Sequence, residues 1–278
     1  MLEISKGKSR LLSSIMTLLA AVFIIPVLVI LMNSFKSKIY ISDAPFKLPG
    51  AETFTGLENY IGGIAKTGFF QAFGWTAFIT VFSVALILLC TSMTAWFIIR
   101  VKGKFTSMLY YLFVFAMIVP FQMVMFTMSK IANMLYLDNP VGIIFIYLGF
   151  GSGLSVFMFS GFVKSIPLEI EEAALIDGCN PLQTFFRIVL PILKPTVITV
   201  AILNTMWIWN DYLLPYLVIG NEYKTIPIAI QYLRGGYGSI DMGAMMAMLV
   251  LAIVPIIIFY LTCQKYIIKG VAAGAVKG

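Results

Sequence analysis

Glu171-Glu172-Ala173-Ala174-Leu175-Ile176-Asp177-Gly178, with Ile188-Val189-Leu190-Pro191 beginning ten residues after the glycine, is a polar stretch with helix start and stop signals. Long apolar segments lie on either side of it. Charged, capped helix has no place in a bilayer core. The stretch therefore divides the chain into apolar runs that cross a membrane and a polar element held in water between them. A membrane protein that keeps such an element is expected to dock something soluble on it.

The apolar runs set the class. The 278-residue chain is 60% hydrophobic and 11% charged, where a soluble domain carries about a quarter charged residues. The surplus is gathered in runs long enough to cross a bilayer as helix, which takes roughly 20 residues. Spans are expected at 11–32, 76–99, 109–128, 141–163, 197–219 and 242–261. The expected fold is an all-α integral membrane protein of six transmembrane helices, one domain over 1–278, with the polar segment 165–191 between spans four and five. The first run follows Lys6, Lys8 and Arg10 like a signal peptide, but it is too long and lacks a small-residue cleavage site. It reads as a retained anchor.

The sequence has no histidine, and Cys90, Cys179 and Cys263 are far apart, which argues against metal chemistry. The formal charge of +7 would suit a nucleic-acid partner, but topology accounts for it and none is expected. With the N-terminus in the cytoplasm, inside segments hold twelve cations and outside segments seven. The bias is sharpest in the short loop Arg100-Val101-Lys102-Gly103-Lys104, where the positive-inside rule is most reliable. Both termini are expected inside. The outer segments 33–75 and 220–241 are rich in Gly or Pro, the second holding Gly235, Gly236 and Gly238. They read as solvated connectors, although Gly-rich loops can also reach a ligand.

Within the polar segment, Ser165 is a plausible cap and Pro167 suits a first turn. Glu169, Glu171 and Glu172 crowd the end where the helix dipole favours anions. Gly178 is placed to end the helix. Asn180-Pro181-Leu182-Gln183 then reads as a second start, with Asn as cap, Pro at N1 and Gln reaching back. Phe185, Phe186, Ile188, Val189 and Leu190 give the second piece an apolar body, and Pro191 and Pro195 bend or end it. Ala173 and Ala174 are small enough to let a partner's backbone come close. The alternative is a helix lying on lipid headgroups, against which the three glutamates argue.

Glu172-Ala173-Ala174, three residues, Gly178, nine residues, then Ile188-x-Leu190-Pro191 resembles the full signature of permease subunits of binding-protein-dependent ABC importers. Further stretches are similar to the maltose-type carbohydrate permeases, the MalG-like partner in particular. They are Asn33-Ser34-Phe35-Lys36, Leu57-Glu58-Asn59-Tyr60, Val119-Pro120-Phe121-Gln122, Gly161-Phe162-x-Lys164-Ser165-Ile166-Pro167 and Trp209-Asn210-Asp211-Tyr212 with Pro215. One departure is Trp75-Thr76, where that group often has Asn-Ser or Asn-Thr.

The resemblance implies a bacterial cytoplasmic-membrane permease in a lipid bilayer. It would form a path with a second homologous permease, above two cytoplasmic ATPase subunits, fed by an extracytoplasmic sugar-binding protein. It also implies that this chain is no enzyme and holds no cofactor, ATP and magnesium sitting on the ATPases. Glu172 would be the polar docking residue, Ala173 and Ala174 the close-packing ones, and Gly178 the turn. Glu171, Asp177, Ile188, Leu190 and Pro191 belong to the same coupling segment, with Asp177 and Arg187 able to pair across the turn. An oligosaccharide is the substrate class of that subgroup.

Span five carries Asn204, Thr205, Trp207, Trp209, Asn210 and Asp211. Asp211 is the sole acidic residue in an expected span, roughly 12 Å from its outer end at 1.5 Å per residue, and a carboxylate there is costly unless it faces water or a partner. Asn204, Trp207, Ile208, Asp211 and Pro215 share one face. Hydroxyl-bonding groups beside an aromatic platform suit a sugar path; the other reading is a subunit contact. A secondary transporter driven by protons or sodium would show acidic relays or inverted repeats, and neither is visible. An intramembrane enzyme would need catalytic pairs that the chain lacks. No phosphate-binding G-x-x-x-x-G-K-[ST] loop occurs either.

Overall fold

In the computed structural model the described residues are 6–220, 222–233 and 240–275, with side chains described from 7 to 265. Arg234, Gly235, Gly236, Gly238 and Lys277, and the side chains of Lys6 and Lys269, lie outside them. Helices follow one another as α1 (Lys6–Asn33), α2 (Lys38–Asp43), α3 (Glu58–Thr67), α4 (Phe69–Arg100), α5 (Lys104–Ile118), α6 (Phe121–Met134), α7 (Gly142–Val163) and α8 (Leu168–Ile176). Then come α9 (Pro181–Thr184), a π-helical turn (Phe185–Val189), α10 (Leu190–Ile192), α11 (Lys194–Asn210), α12 (Leu213–Val218), α13 (Ile226–Gln231) and α14 (Met242–Ala275). The chain is an all-α, multi-pass membrane protein.

Four helices are long and apolar enough to cross a membrane: Gly7–Asn33, Phe69–Arg100, Gly142–Val163 and Met242–Lys265. Two further candidates are bent pairs, α5 with α6 at 105° and Pro181–Ile192 with α11 at 77°. The expected span over 109–128 is thus broken at Val119-Pro120. Proline has no amide donor and forces its predecessor out of helical conformation; Val119 is extended, with ψ 115°. The expected continuous span over 197–219 is broken too, at Asp211, which is extended with ψ 124°. Its Oδ1 accepts the backbone N–H groups of Leu213 (3.0 Å) and Leu214 (3.4 Å). Aspartate offers unsatisfied helix-start amides a partner, so it starts α12 rather than continuing α11. Pro215 then falls in the first turn of α12, where no helical donor is lost.

The chain divides into two compact units. The first comprises residues 1–70 and 229–255. After α1, the strap 33–55 is tied by a bridge between Lys36 and Phe54 and by Asn59, whose Nδ2 donates to the carbonyls of Ser34 and Lys36. Lys36 is buried and its Nζ donates to Ala44 O at 3.0 Å; burial pulls the ammonium's pKa below its usual value. Lys66 on α3 pairs with Asp241 just before α14. Burial alone would raise the Asp241 pKa, but hydrogen bonds from Lys66 and the Ala244 amide, with the charges of Lys66 and Lys38, hold it below the usual carboxylate range.

The second unit comprises residues 71–228 and 256–278. Its centre is α7, the most enclosed of the long helices. Small residues let its neighbours approach, as is usual between helices in lipid. A Cβ on Gly151 would meet Ile87 Cδ1 of α4 at 2.6 Å and Asn204 Oδ1 of α11 at 2.9 Å. One on Gly153 would meet the Phe113 carbonyl of α5 at 2.8 Å. One apolar cluster joins Ala95 and Ile98 of α4, Val156, Phe159 and Val163 of α7, Ile166, and Phe185, Val189 and Leu193 of the segment after α8. A second gathers Ile79, Val84, Ile87, Ile143, Tyr147, Ile208, Leu214 and Ile219.

Candidate functional site

The polar segment folds as two short helices joined by a tight turn. Its first cap is not Ser165, whose hydroxyl donates back to Phe162 O at 2.8 Å. Pro167 holds the cap position, extended (ψ 135°) and without a side-chain cap bond. The reason is distance along the chain: α8 starts at Leu168, and Ser165 sits in the turn that follows α7, its amide donating to Phe162 O. At the other end the reading from sequence fits. Gly178 takes φ 87°, the left-handed region that favours glycine. The Gly178 amide donates to Leu175 O (3.1 Å) and the Cys179 amide to Ala174 O (2.9 Å), the paired bonds of a Schellman stop. Asn180 and Gln183 form a reciprocal capping box, each bond 2.9 Å.

The helix α8 has two distinct faces. Glu172, Ala173, Leu175 and Ile176 are exposed, Ile176 at 86%. Glu171 and Ala174 are buried. Of the two adjacent glutamates, only Glu172 is on the open side. Asp177, Arg187 and Pro191 are exposed, and Ile188 and Leu190 half-buried. The expected Asp177–Arg187 pair is not formed. After the capping box the chain runs one π-helical turn with Phe185 and Val189 inward, a register shift often found at functional sites.

Glu171 is held by two residues of α4: Trp96, which sequence reasoning did not single out, and Arg100, which it placed only in the basic loop. Arg100 at the end of α4 donates to its Oε1 from Nε (2.9 Å) and Nη2 (2.7 Å). Trp96, one turn earlier on α4, donates from Nε1 to its Oε2 at 2.9 Å. The Arg100 Nη2 also donates to Ile166 O at 3.0 Å. The Trp96 ring meets Phe185 with centroids 5.5 Å apart. Trp96 and Arg100 at i, i+4 near a span end were the available signal.

On α11 the expected polar face divides. Asn204 is buried, its Nδ2 donating to Ser155 Oγ (3.2 Å) and Val200 O (2.9 Å). Trp207 lies edge-on to Tyr147 at 5.4 Å, and Tyr147 OH donates to Asp211 Oδ2 at 3.1 Å. Asn204, Trp207 and Asp211 thus meet α7. Trp209 is buried beside Phe73, and Asn210 is exposed, its Nδ2 donating to Met206 O. Tyr147 sits in an apolar run, and nothing in its local sequence marked it. Among the described residues no group of three or more His, Cys, Asp or Glu could hold a metal ion.

The family described as "Binding-protein-dependent transport system inner membrane component" matches residues 87–273. The probable starch degradation products transport system permease protein AmyC of Thermoanaerobacterium thermosulfurigenes is 41% identical over 268 residues, 96% of each chain. The multiple sugar-binding transport system permease protein MsmG of Streptococcus mutans is 34% identical over 268 residues, 95% of each. A chain from the crystal structure of a bacterial ABC transporter involved in alginate import aligns with TM-score 0.75 over 95% of this chain and 98% of that one. At 22% identity that likeness is one of fold.

Proposed function

Because this chain belongs to the family of binding-protein-dependent transport system inner membrane components, we propose that it is the sugar-passing permease subunit of an ABC importer. Its substrates are oligosaccharides, in line with the sugar systems named for AmyC and MsmG, and its subgroup is MalG-like. It works as one domain over 1–278, lining a path with a second permease. Two ATPases bind ATP and magnesium, and an extracytoplasmic binding protein delivers the sugar. Family membership favours this over ion-coupled secondary transport. Six crossings put both termini in the cytoplasm, with α8 on the same side.

The observation that carries the coupling role is the outward face of α8. Glu172 and Ala173 are exposed on a helix whose other face is fixed by Glu171. That face seats in an ATPase groove, with Asp177, Gly178, Ile188, Leu190 and Pro191 shaping the turn and the return. Closure of the ATPase pair shifts the helix pair, and the shift biases a two-state path. Asn204, Trp207 and Asp211 belong to that path; Trp209 and Asn210 border it.

The test is uptake of radiolabelled maltotetraose, raffinose and glucose in a strain lacking this subunit, with and without the gene restored. Restored uptake of an oligosaccharide but not glucose, together with copurification of an ATPase and a second permease, supports the reading. An active lone subunit, or restoration of glucose alone, defeats it.

A further inference from the structure

We propose that Trp96 and Arg100 are positioning residues that clamp the helix pair 168–192 to the end of α4, so that movement imposed on α8 is delivered to α4. The proposal rests on the docking role assigned to the outward face of α8. The clamp has three parts, which between them hold Ile166, Glu171 and Phe185. Arg100 binds Glu171 with two N–H groups and reaches the Ile166 carbonyl with Nη2, which fixes α8 and the connection before it. The Trp96 indole N–H takes the second carboxylate oxygen. The Trp96 ring packs on Phe185, beyond the glycine turn, and so fixes the second half of the pair.

The burial of this network explains why it acts as a strut rather than a surface ion pair. The Glu171 side chain is 5% exposed and that of Arg100 18%. Both carboxylate oxygens are bonded, Oε1 twice and Oε2 once, and burial leaves the side chain little access to water. A buried pair that loses one member leaves an uncompensated charge, which makes the arrangement close to all-or-none. The Trp96 side chain packs against the buried apolar cluster that holds Ile98, Val163, Ile166, Phe185 and Val189.

The α4 helix provides the onward route. Ile87, about 20 Å along the helix from Arg100 at 1.5 Å per residue, lies where the small Gly151 of α7 leaves room, beside Asn204 of α11. A rigid displacement of the Arg100 end therefore bears on the α7–α11 junction, the face that also carries Trp207 and Asp211. Glu172 and Glu171 then have separate duties: one faces the engine, the other ties the engaged helix to the path.

The test uses the complete importer, both permeases and both ATPases, reconstituted with its binding protein. Variants Arg100→Gln, Arg100→Lys and Trp96→Phe are compared for complex yield, for crosslinking of a cysteine at Glu172 to the ATPase, and for labelled maltotetraose moved per ATP hydrolysed. Arg100→Gln is expected to keep the crosslink and lower sugar per ATP about tenfold, within the usual 5–150-fold range of coupling between sites. Trp96→Phe, which keeps the ring and loses the N–H, lowers it less, and Arg100→Lys restores part of the loss. If Arg100→Gln fails to assemble, Trp96→Phe carries the test. Spin labels at Lys102 and Ile176 should keep one distance with and without ATP in the wild type. Unchanged sugar per ATP in the assembled variants, or an ATP-dependent change in that distance, overturns the clamp and leaves docking standing. Loss of the crosslink in the wild-type background overturns docking and the clamp's role with it.

Discussion

Adjacent residues on one helix can have opposite fates, and Glu171 and Glu172 are a clear case. A helix advances about 100° per residue, so two neighbours seldom share a face. Ala173 and Ala174 are split in the same way, the first exposed and the second buried. A change at Ala173 should therefore leave the fold alone and disturb only what docks. Ala173→Trp is expected to shift stability by no more than about 0.5 kcal/mol, as surface changes do, while labelled-sugar uptake falls. Thermal unfolding in detergent and transport assays separate the two; wild-type uptake would remove Ala173 from the docking face. Asp241 makes a different prediction. Its folded pKa is depressed, so its contribution is present above the unfolded carboxylate pKa of about 3.9 and is lost as pH falls through the lower folded value. Its partner Lys66 has a side chain 60% exposed, and solvent screening limits such pairs to about 1 kcal/mol or less. Asp241→Asn should lower the melting temperature slightly at pH 7, and that difference should shrink as the pH falls below about 4, the unfolded carboxylate value, and vanish below the depressed folded value; a difference that persists in stronger acid would contradict the assignment.

At the scale of elements, local signals were legible and distant ones were not. Gly178 and the Asn180–Gln183 box could be read because a left-handed turn and a capping box depend on residues within three or four positions. Asn180→Ala should cost about 1 kcal/mol of local stability, seen as faster hydrogen exchange over 181–190, with Asn180→Ser close to wild type. Equal exchange in the Ala variant would mean that the apolar cluster alone holds α9. The Glu171 anchors lie 71 and 75 residues away in sequence, and no periodicity reveals which of two glutamates such partners will take. Asp211 is ambiguous in the sequence for a related reason. Within an apolar run it looks like a costly intramembrane acid, but Asp followed four residues on by Pro215 is also the pattern of a helix start. The structure uses it as both a starter for α12 and an acceptor for Tyr147. Pro120 marks a break locally, while a bend of 105° depends on what α5 and α6 pack against, which local sequence does not encode.

For the whole molecule, the bent pairs raise the question of sidedness, since a bent pair can cross a membrane or return to the side it came from. Hydrogen bonds within the second unit bear on it. Arg100 is the last residue of α4, and α8 begins a few residues after α7 ends. Arg100 binds Glu171 and Ile166 directly, so α4 and α7 finish on the same side. If both span the membrane, α7 must also start on the side where α4 started. The intervening α5 and α6 must then carry the chain across, despite their bend. The return works likewise: α11 leaves the α10 bend and travels about 25 Å over its 17 residues. It ends with Asp211 bonded to Tyr147, in the second turn of α7. On the same condition it crosses back, antiparallel to α7. We propose that α1 and α14 are the further crossings, six in all, an even number that would place both termini on one side. The expected labelling follows. Cysteines at Lys102 and Ile176 should react with an impermeant maleimide only from the cytoplasmic side, and one at Tyr136, 84% exposed between α6 and α7, only from outside. A re-entrant α5–α6 pair would instead put positions 102 and 136 on one side, and that single result would remove α8 from the reach of a cytoplasmic ATPase.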